Sequence, residues 1–267
     1  MIPHSAVQRF VEACAADEDV VAAFIGGSHA ARIADLFSDL DLYVITTDEG
    51  YTRFFDRRRE FLRRMGQPVF EEDFSGFGFD MLLFLLSDGV DGELAFARAS
   101  HFTRVHGGPF QVLVDKQGIL RGVEFPLYHP GVLAQQQTLR ELLVSFWRDA
   151  WLFGKAMARG QLWSAQGGVE RMRRAEVNLM RLRADFAAPA EGYNTVERAL
   201  GAEQLAALED TMCPLRADAM WRAQRKLTAL YRGAGADLAR QQAVDYPAKL
   251  DRLVSDRLAR LSERAMP

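Results

Sequence analysis

The 267 residues exceed the usual size of a single domain, and a hydrophobic share of 49% with a charged share of 26% excludes a disordered or low-complexity chain. A net charge of -3, with basic residues scattered and no basic stripe studded with aromatics, argues against a nucleic-acid groove. No apolar run approaches the roughly 20 residues of a membrane helix, and the N-terminal MIPHSAVQRF lacks the basic start and apolar centre of a leader, so a cytoplasmic protein with no membrane partner is expected.

In chain order, Val7, Phe10, Val11 and Cys14 fall at helical spacing, and VVAAFIGG then reads as a strand closed by a glycine pair. After a polar stretch, DLDLYVIT reads as a second strand, with Asp39 and Asp41 on one face and Leu40 and Leu42 on the other. A basic helix is expected over 52–65. The segment FDMLLFLLSDGVDGELAFARA reads as two strands joined through the Asp- and Gly-rich turn SDGVDG, and GGPFQVLVDKQG as one further strand. From about 133 to the end the pattern is helical, with amphipathic stretches at 134–159, 166–187, 216–234 and 247–264. Segment 120–132, holding Pro126, Pro130 and Gly131, reads as a linker. Two domains follow, an α/β nucleotide-handling domain over 1–125 and a helical domain over 126–267. Residues 1–129 carry 12 Lys+Arg against 20 Asp+Glu, and 130–267 carry 21 against 16. An acidic half suits cation binding and a basic half suits a polyphosphate, although solvated faces of differing sign explain the same counts. Cys14 and Cys213 form no CxxC pair and read as buried thiols.

Chemistry concentrates in Gly26-Gly27-Ser28, nine further residues, and then Ser38-Asp39-Leu40-Asp41-Leu42. Two carboxylates at i and i+2 on a strand point the same way from backbones roughly 7 Å apart, so their oxygens can converge on a metal pair about 4 Å apart. Without His or Cys nearby, such a pair points to Mg²⁺ rather than zinc. Gly27 lets backbone approach a triphosphate, and the Ser28 hydroxyl with adjacent amides can donate to its oxygens. Ser38, beside Asp39, belongs to the same nucleotide-binding set. A two-metal site needs a third carboxylate, for which Asp80, Asp88, Asp91 and Glu93 are candidates. Asp88 and Asp91 sit in a turn that favours Asp for backbone reasons, and Asp80 begins a strand. Glu93 is chosen because it lies in the apolar strand GELAF, where a lone carboxylate is costly to bury without a cation.

The pattern of Gly-Ser, about ten residues and then D-x-D resembles the antibiotic nucleotidyltransferases of the DNA polymerase β superfamily. The hairpin DGVDGELAF is similar to the segment of streptomycin adenylyltransferases and of one lincosamide nucleotidyltransferase type that carries the third carboxylate, which puts that role on Glu93. VLVDKQGIL and ELLVSFWRDAWLFGKAMARGQLWSA resemble stretches of the lincosamide type. Those enzymes have Glu where this chain has Asp41, and either acid binds Mg²⁺. The resemblance implies an α+β fold, a polymerase β-like mixed sheet with helices followed by an all-helical C-terminal bundle. It implies two Mg²⁺ ions held by Asp39, Asp41 and Glu93, a nucleoside triphosphate co-substrate, expected to be ATP, and transfer of AMP to a hydroxyl of a lincosamide. Aminoglycoside adenylylation is the alternative within the class, and a non-catalytic binding protein or antitoxin of the same fold is the alternative outside it.

Basic residues of the C-terminal half reach the triphosphate in this family. Lys155 and Arg159, i and i+4 on one helix face below Trp147 and Trp151, are candidates against the plainer reading of a solvated flank. Arg32, just after the glycine-serine turn, is a further phosphate candidate. His29, His101 and His106 show no metal spacing. Glu170 and Glu176 are expected to pair with neighbouring arginines. Phe70, Phe74, Phe77, Phe102 and Trp163 suggest the apolar walls that a lincosamide needs, or simply core. The acceptor, the base and the choice between monomer and homodimer stay open at this stage.

Overall fold

The computed structural model describes residues 4–127 and 129–265. Three residues of the N-terminal segment, Tyr128 of the expected linker, and residues 266 and 267 lie outside the described residues. The chain divides into two compact units, 1–128 and 129–267. Among the described residues no helix is long and apolar enough to cross a membrane.

The first unit is a six-stranded mixed sheet flanked by helices. Its elements are α1 (His4–Ala16), β1 (Val20–Ile25), the short α2 (Gly27–Ala30), β2 (Leu40–Thr46), α3 (Tyr51–Asp56), α4 (Arg58–Met65), β3 (Pro68–Phe74), β4 (Asp80–Leu86), β5 (Asp91–Arg98) and β6 (Gln111–Asp115). The strand order is β3-β4-β5-β2-β1-β6, with β2 and β5 parallel and the other neighbours antiparallel. Both faces of the central strands are covered, as their nearly continuous apolar sequences require. One face packs Leu40, Leu42, Val44, Leu94 and Phe96 with Phe10 of α1 and Phe54, Phe61 and Leu62 of α3 and α4. The other packs Ala22, Phe24, Ile45 and Ala97 with Phe102, Val105, Leu120 and Phe125 of the loops flanking β6. Asp41 and Glu93 belong to this second face by strand alternation.

Three sequence expectations change here. The single helix over 52–65 is two helices that meet at Arg57, where the 3₁₀-like bond from the Arg57 amide to the Phe54 carbonyl ends the first. The Arg57 guanidinium at this break binds the buried carboxylates of Asp17 and Asp19. Asp39 precedes β2 instead of lying in it. A strand, β3, occupies PVFEEDF, a sequence with Pro at its start and three acids in its middle; it is tolerated because β3 is an edge strand.

The second unit is helical: α5 (Val132–Ala158), α6 (Leu162–Ala184), the short α7 (Val196–Ala199), α8 (Ala202–Glu209), α9 (Ala217–Gln241) and α10 (Ala248–Ala265). The long helices α5, α6, α9 and α10 share one core around Phe146, Trp147, Phe153, Trp221 and Tyr231. Phe146 stacks on Tyr231 with ring centroids 3.8 Å apart, and the Tyr231 hydroxyl donates to the Leu142 carbonyl at 2.9 Å. Glu170 pairs with Arg173, as expected, whereas Glu176 forms no ion pair among the described residues. It sits on the core side of α6, 1% exposed, with Oε2 lacking a hydrogen-bond partner. Both cysteines are free; Cys14 is buried, and Cys213 is only half-buried, its thiol 3.7 Å from Gln166 Oε1.

Candidate active site

The turn after β1 and the start of β2 are folded directly onto each other. The Gly26 amide donates to the Asp41 carbonyl at 2.9 Å, and Gly27, with φ +55°, lies against the Asp41 side chain. A Cβ at Gly27 would stand 1.7 Å from Asp41 Oδ2. Two demands therefore meet at one residue: the left-handed backbone that glycine adopts without cost, and room for a carboxylate. Ser28 Oγ and His29 Nε2 are buried without hydrogen-bond partners. Ser38 closes the loop before Asp39 by accepting from the Asp35 amide at 2.9 Å and donating to the Asp35 carboxylate at 3.2 Å.

The parallel pairing of β2 with β5 sets Asp41 opposite Glu93 in register. The approach of the two strands is close at the preceding pair, because a Cβ on Gly92 would meet the Leu40 carbonyl oxygen at 2.3 Å. Burial, then Asp39, then Glu93 push the Asp41 carboxyl up to about 6. Burial and Asp39 raise Glu93 as well. Among the described residues no cationic side chain offsets these shifts, so the three carboxylates form a patch of negative potential. Among the described residues, no three His, Cys, Asp or Glu side chains are gathered into a ready metal cage. The donor set is all hard oxygen, the kind that Mg²⁺ prefers.

Two residues that sequence reasoning passed over support the patch. Tyr43, two residues after Asp41 on the same face, stacks on Phe24 at 4.4 Å with nearly parallel rings. His106 Nε2 lies 3.0 Å from the Pro109 carbonyl, which can only accept, so Nε2 carries the proton and Nδ1 accepts from the Tyr43 hydroxyl at 3.1 Å. Burial lowers the His106 pKa and keeps the ring neutral. Burial, Asp41 and Glu93 raise the Tyr43 pKa and keep its hydroxyl protonated. The His106 ring also abuts Gly26, where a Cβ would meet its Cε1 at 2.6 Å. The i+2 position of Tyr43 was visible in the sequence, but the contact with His106, 63 residues away, was not.

Asp80 is opposite Phe96, three residues along β5 from Glu93, and accepts a 2.6 Å hydrogen bond from the Tyr51 hydroxyl. Asp88 and Asp91 lie at the exposed turn, Asp88 paired with Arg9. Arg32 is exposed with φ +59°. Lys155 is half-buried on α5, and Arg159 is its exposed C-cap rather than a residue within the helix; both belong to the second unit. The four aromatics of the first unit divide between its core and its surface. Phe102 is in the sheet core at 8% exposure, Phe70, Phe74 and Phe77 are exposed around β3, and Trp163 is 81% exposed in the other unit.

Two solved structures resemble the chain at low identity. An aminoglycoside 6-adenyltransferase from Bacillus subtilis is 14% identical with a TM-score of 0.43, over 98% of this chain and 99% of that one. A nucleotidyltransferase-like protein from Exiguobacterium sibiricum is 12% identical with a TM-score of 0.37, over 88% of this chain and 77% of that one. No curated protein matches in sequence. The profile of the family described as streptomycin adenylyltransferase matches residues 4–261, nearly the whole length. On that match the chain is a nucleotidyltransferase of the antibiotic-modifying kind, and it belongs to the streptomycin adenylyltransferase family.

Proposed function

We propose that this chain transfers AMP from ATP to a hydroxyl of an antibiotic, releasing pyrophosphate and inactivating the drug. The observation that carries the reading is the pairing of Asp41 with Glu93 across parallel strands, next to Asp39 and without a compensating cation among the described residues. Two Mg²⁺ ions, held by Asp39, Asp41 and Glu93, supply positive charge at the reacting phosphate when bound. Glu93 takes the proton of the acceptor hydroxyl at its carboxylate. The hydroxyl oxygen then bonds to the α-phosphorus in line with the breaking bond to pyrophosphate. Gly27 and Ser28 receive the triphosphate, Ser28 through its unpartnered hydroxyl, with Ser38 shaping the loop that carries Asp39. Arg32, Lys155 and Arg159 are assigned to the remaining phosphate charge. Catalysis is assigned to residues 1–125.

For the acceptor, a lincosamide rests on the likeness of the α5 stretch to that enzyme type, while the burial of Phe102 in the sheet core takes that residue out of the apolar wall expected for it. An aminoglycoside fits the family description equally, and the acidity of the site suits a polycation. Incubating the chain with Mg²⁺, α-labelled ATP and a panel containing lincomycin, clindamycin, streptomycin and kanamycin decides between them. Label on a lincosamide supports the first reading and label on an aminoglycoside the second. Label on neither, with pyrophosphate not released, overturns both.

A further inference from the structure

At the other end of β5 from Glu93, a cleft of about 660 Å³ opens between the start of α3, the β3–β4 turn and the segment after β5. Its volume lies within the roughly 300–1,000 Å³ that small-molecule sites occupy. The lining residues of β5, Phe96 to Arg98, are three to five residues from Glu93 on an extended strand, so the cleft begins about 10 Å from Glu93 and reaches about 17 Å from it at Arg98.

The walls combine positive charge with exposed rings. Arg98 and Arg104 line the cleft together with His101, against the carboxylate of Asp80, which accepts a 2.6 Å hydrogen bond from Tyr51, and that of Asp48 beside Arg98, which Ser100 holds by its amide and hydroxyl. The two guanidiniums stand within a half of the chain that carries 12 Lys+Arg against 20 Asp+Glu. The Arg98 guanidinium lies 4.2 Å from the centre of the Tyr51 ring and donates to the Asp48 carbonyl at 2.5 Å, so this corner is fixed before any ligand arrives. Arg104, by contrast, is exposed, and no hydrogen bond or ion pair holds it among the described residues. Phe77, also on the wall, is 68% exposed and touches Phe74 and Phe79 at centroid distances of 5.3 and 6.3 Å. A fixed stacked cation, an unengaged guanidinium and an open aromatic face suit one chemistry: a planar ring for Phe77 and Phe79 and an anionic group for Arg104 and Arg98.

We propose that this cleft binds an aromatic anion, a carboxylate or phosphate carried on a planar ring, at a site separate from the carboxylate patch. Titration calorimetry of the full chain with 2-naphthoate and with 2-naphthyl phosphate tests this, with 2-naphthamide and cyclohexanecarboxylate as controls. At least one aromatic anion is expected to bind with a stoichiometry of one and to remain bound in saturating MgATP; the tighter of the two identifies the anionic group. Arg104→Glu and Phe77→Ala, both at exposed positions, should each weaken it at least about tenfold with the melting temperature unchanged. Arg104→Gln should give an intermediate loss. Failure of both anions to bind, equal binding of the neutral or the aliphatic control, undiminished binding in the variants, or displacement by MgATP would each overturn the proposal.

Discussion

Gly27 carries two requirements that no other residue type meets together, a φ of +55° and space for Asp41 Oδ2 at 1.7 Å from a would-be Cβ. Gly27→Ala should therefore lower kcat at least about 100-fold through displacement of the Asp41 carboxylate, a loss of the size that misplacement by about 1 Å brings. Its cost in stability should be only about 1–2 kcal/mol. Steady-state kinetics beside a denaturant melt separates the two effects; equal activity in the alanine variant would show that Asp41 need not stay where Gly27 holds it. Glu93→Gln should keep triphosphate affinity within a few-fold and lose kcat by several orders of magnitude, since the amide cannot accept the hydroxyl proton. Calorimetry with MgATP and a transfer assay on the same sample check this, and a parallel fall in affinity would instead make Glu93 chiefly a binding group. At this scale the sequence was informative where the chemistry is local. GGS and DLD are contiguous patterns, whereas Tyr43 and His106 meet only through the fold, and Glu176 was misjudged because nothing in a helical pattern reveals whether a facing arginine exists.

Strand pairing turns those residues into a site. The register that sets Asp41 against Glu93 depends on β2 and β5 approaching closely at Leu40 and Gly92, where a Cβ would stand 2.3 Å from a backbone oxygen. Gly92→Val should force the parallel pair apart and cost roughly 1–3 kcal/mol by overpacking, with loss of transfer activity as Glu93 shifts relative to Asp41. Chemical denaturation measures the first and initial rates the second; a variant as stable and active as the parent would remove the register argument. Strands with alternating or continuous apolar sequence, such as β1, β2, β4 and β5, were legible from the chain alone. β3 was not, because Glu71, Glu72 and Asp73 carry no strand preference and are tolerated only at a sheet edge next to Arg58 and Arg59. The break between α3 and α4 was equally hidden, since the carboxylates that engage Arg57 lie about 40 residues earlier in the chain.

Across the whole molecule the acidic sheet unit and the more basic helical unit differ in what ionisation does to them. In the helical unit, burial raises Glu176 to about 7, with Arg183 only partly opposing it. Below the ordinary glutamate range both folded and unfolded chains hold this proton. As pH rises to about 7 only the folded chain keeps it, so stability falls through that window and the penalty is complete above it. Glu176→Gln should therefore gain up to about 3 kcal/mol relative to the parent at pH 8 and little at pH 4.5, read from denaturant midpoints. A gain independent of pH would mean that the carboxylate is not the source. The division into a mixed sheet followed by helices was legible because hydrophobic periodicity changes near residue 133, while the acceptor was not, because sequence does not separate exposed rings such as Phe77 and Trp163 from a core ring such as Phe102. The central claim is that Asp39, Asp41 and Glu93 form one cation-dependent centre for nucleotidyl transfer. Pyrophosphate release from ATP in the presence of a competent antibiotic acceptor tests it most directly, measured with and without Mg²⁺ for the parent chain and for Asp41→Asn. Release should require Mg²⁺ in the parent and fall by several orders of magnitude in Asp41→Asn, whose fold should persist; full release without Mg²⁺, or from Asp41→Asn, would contradict it.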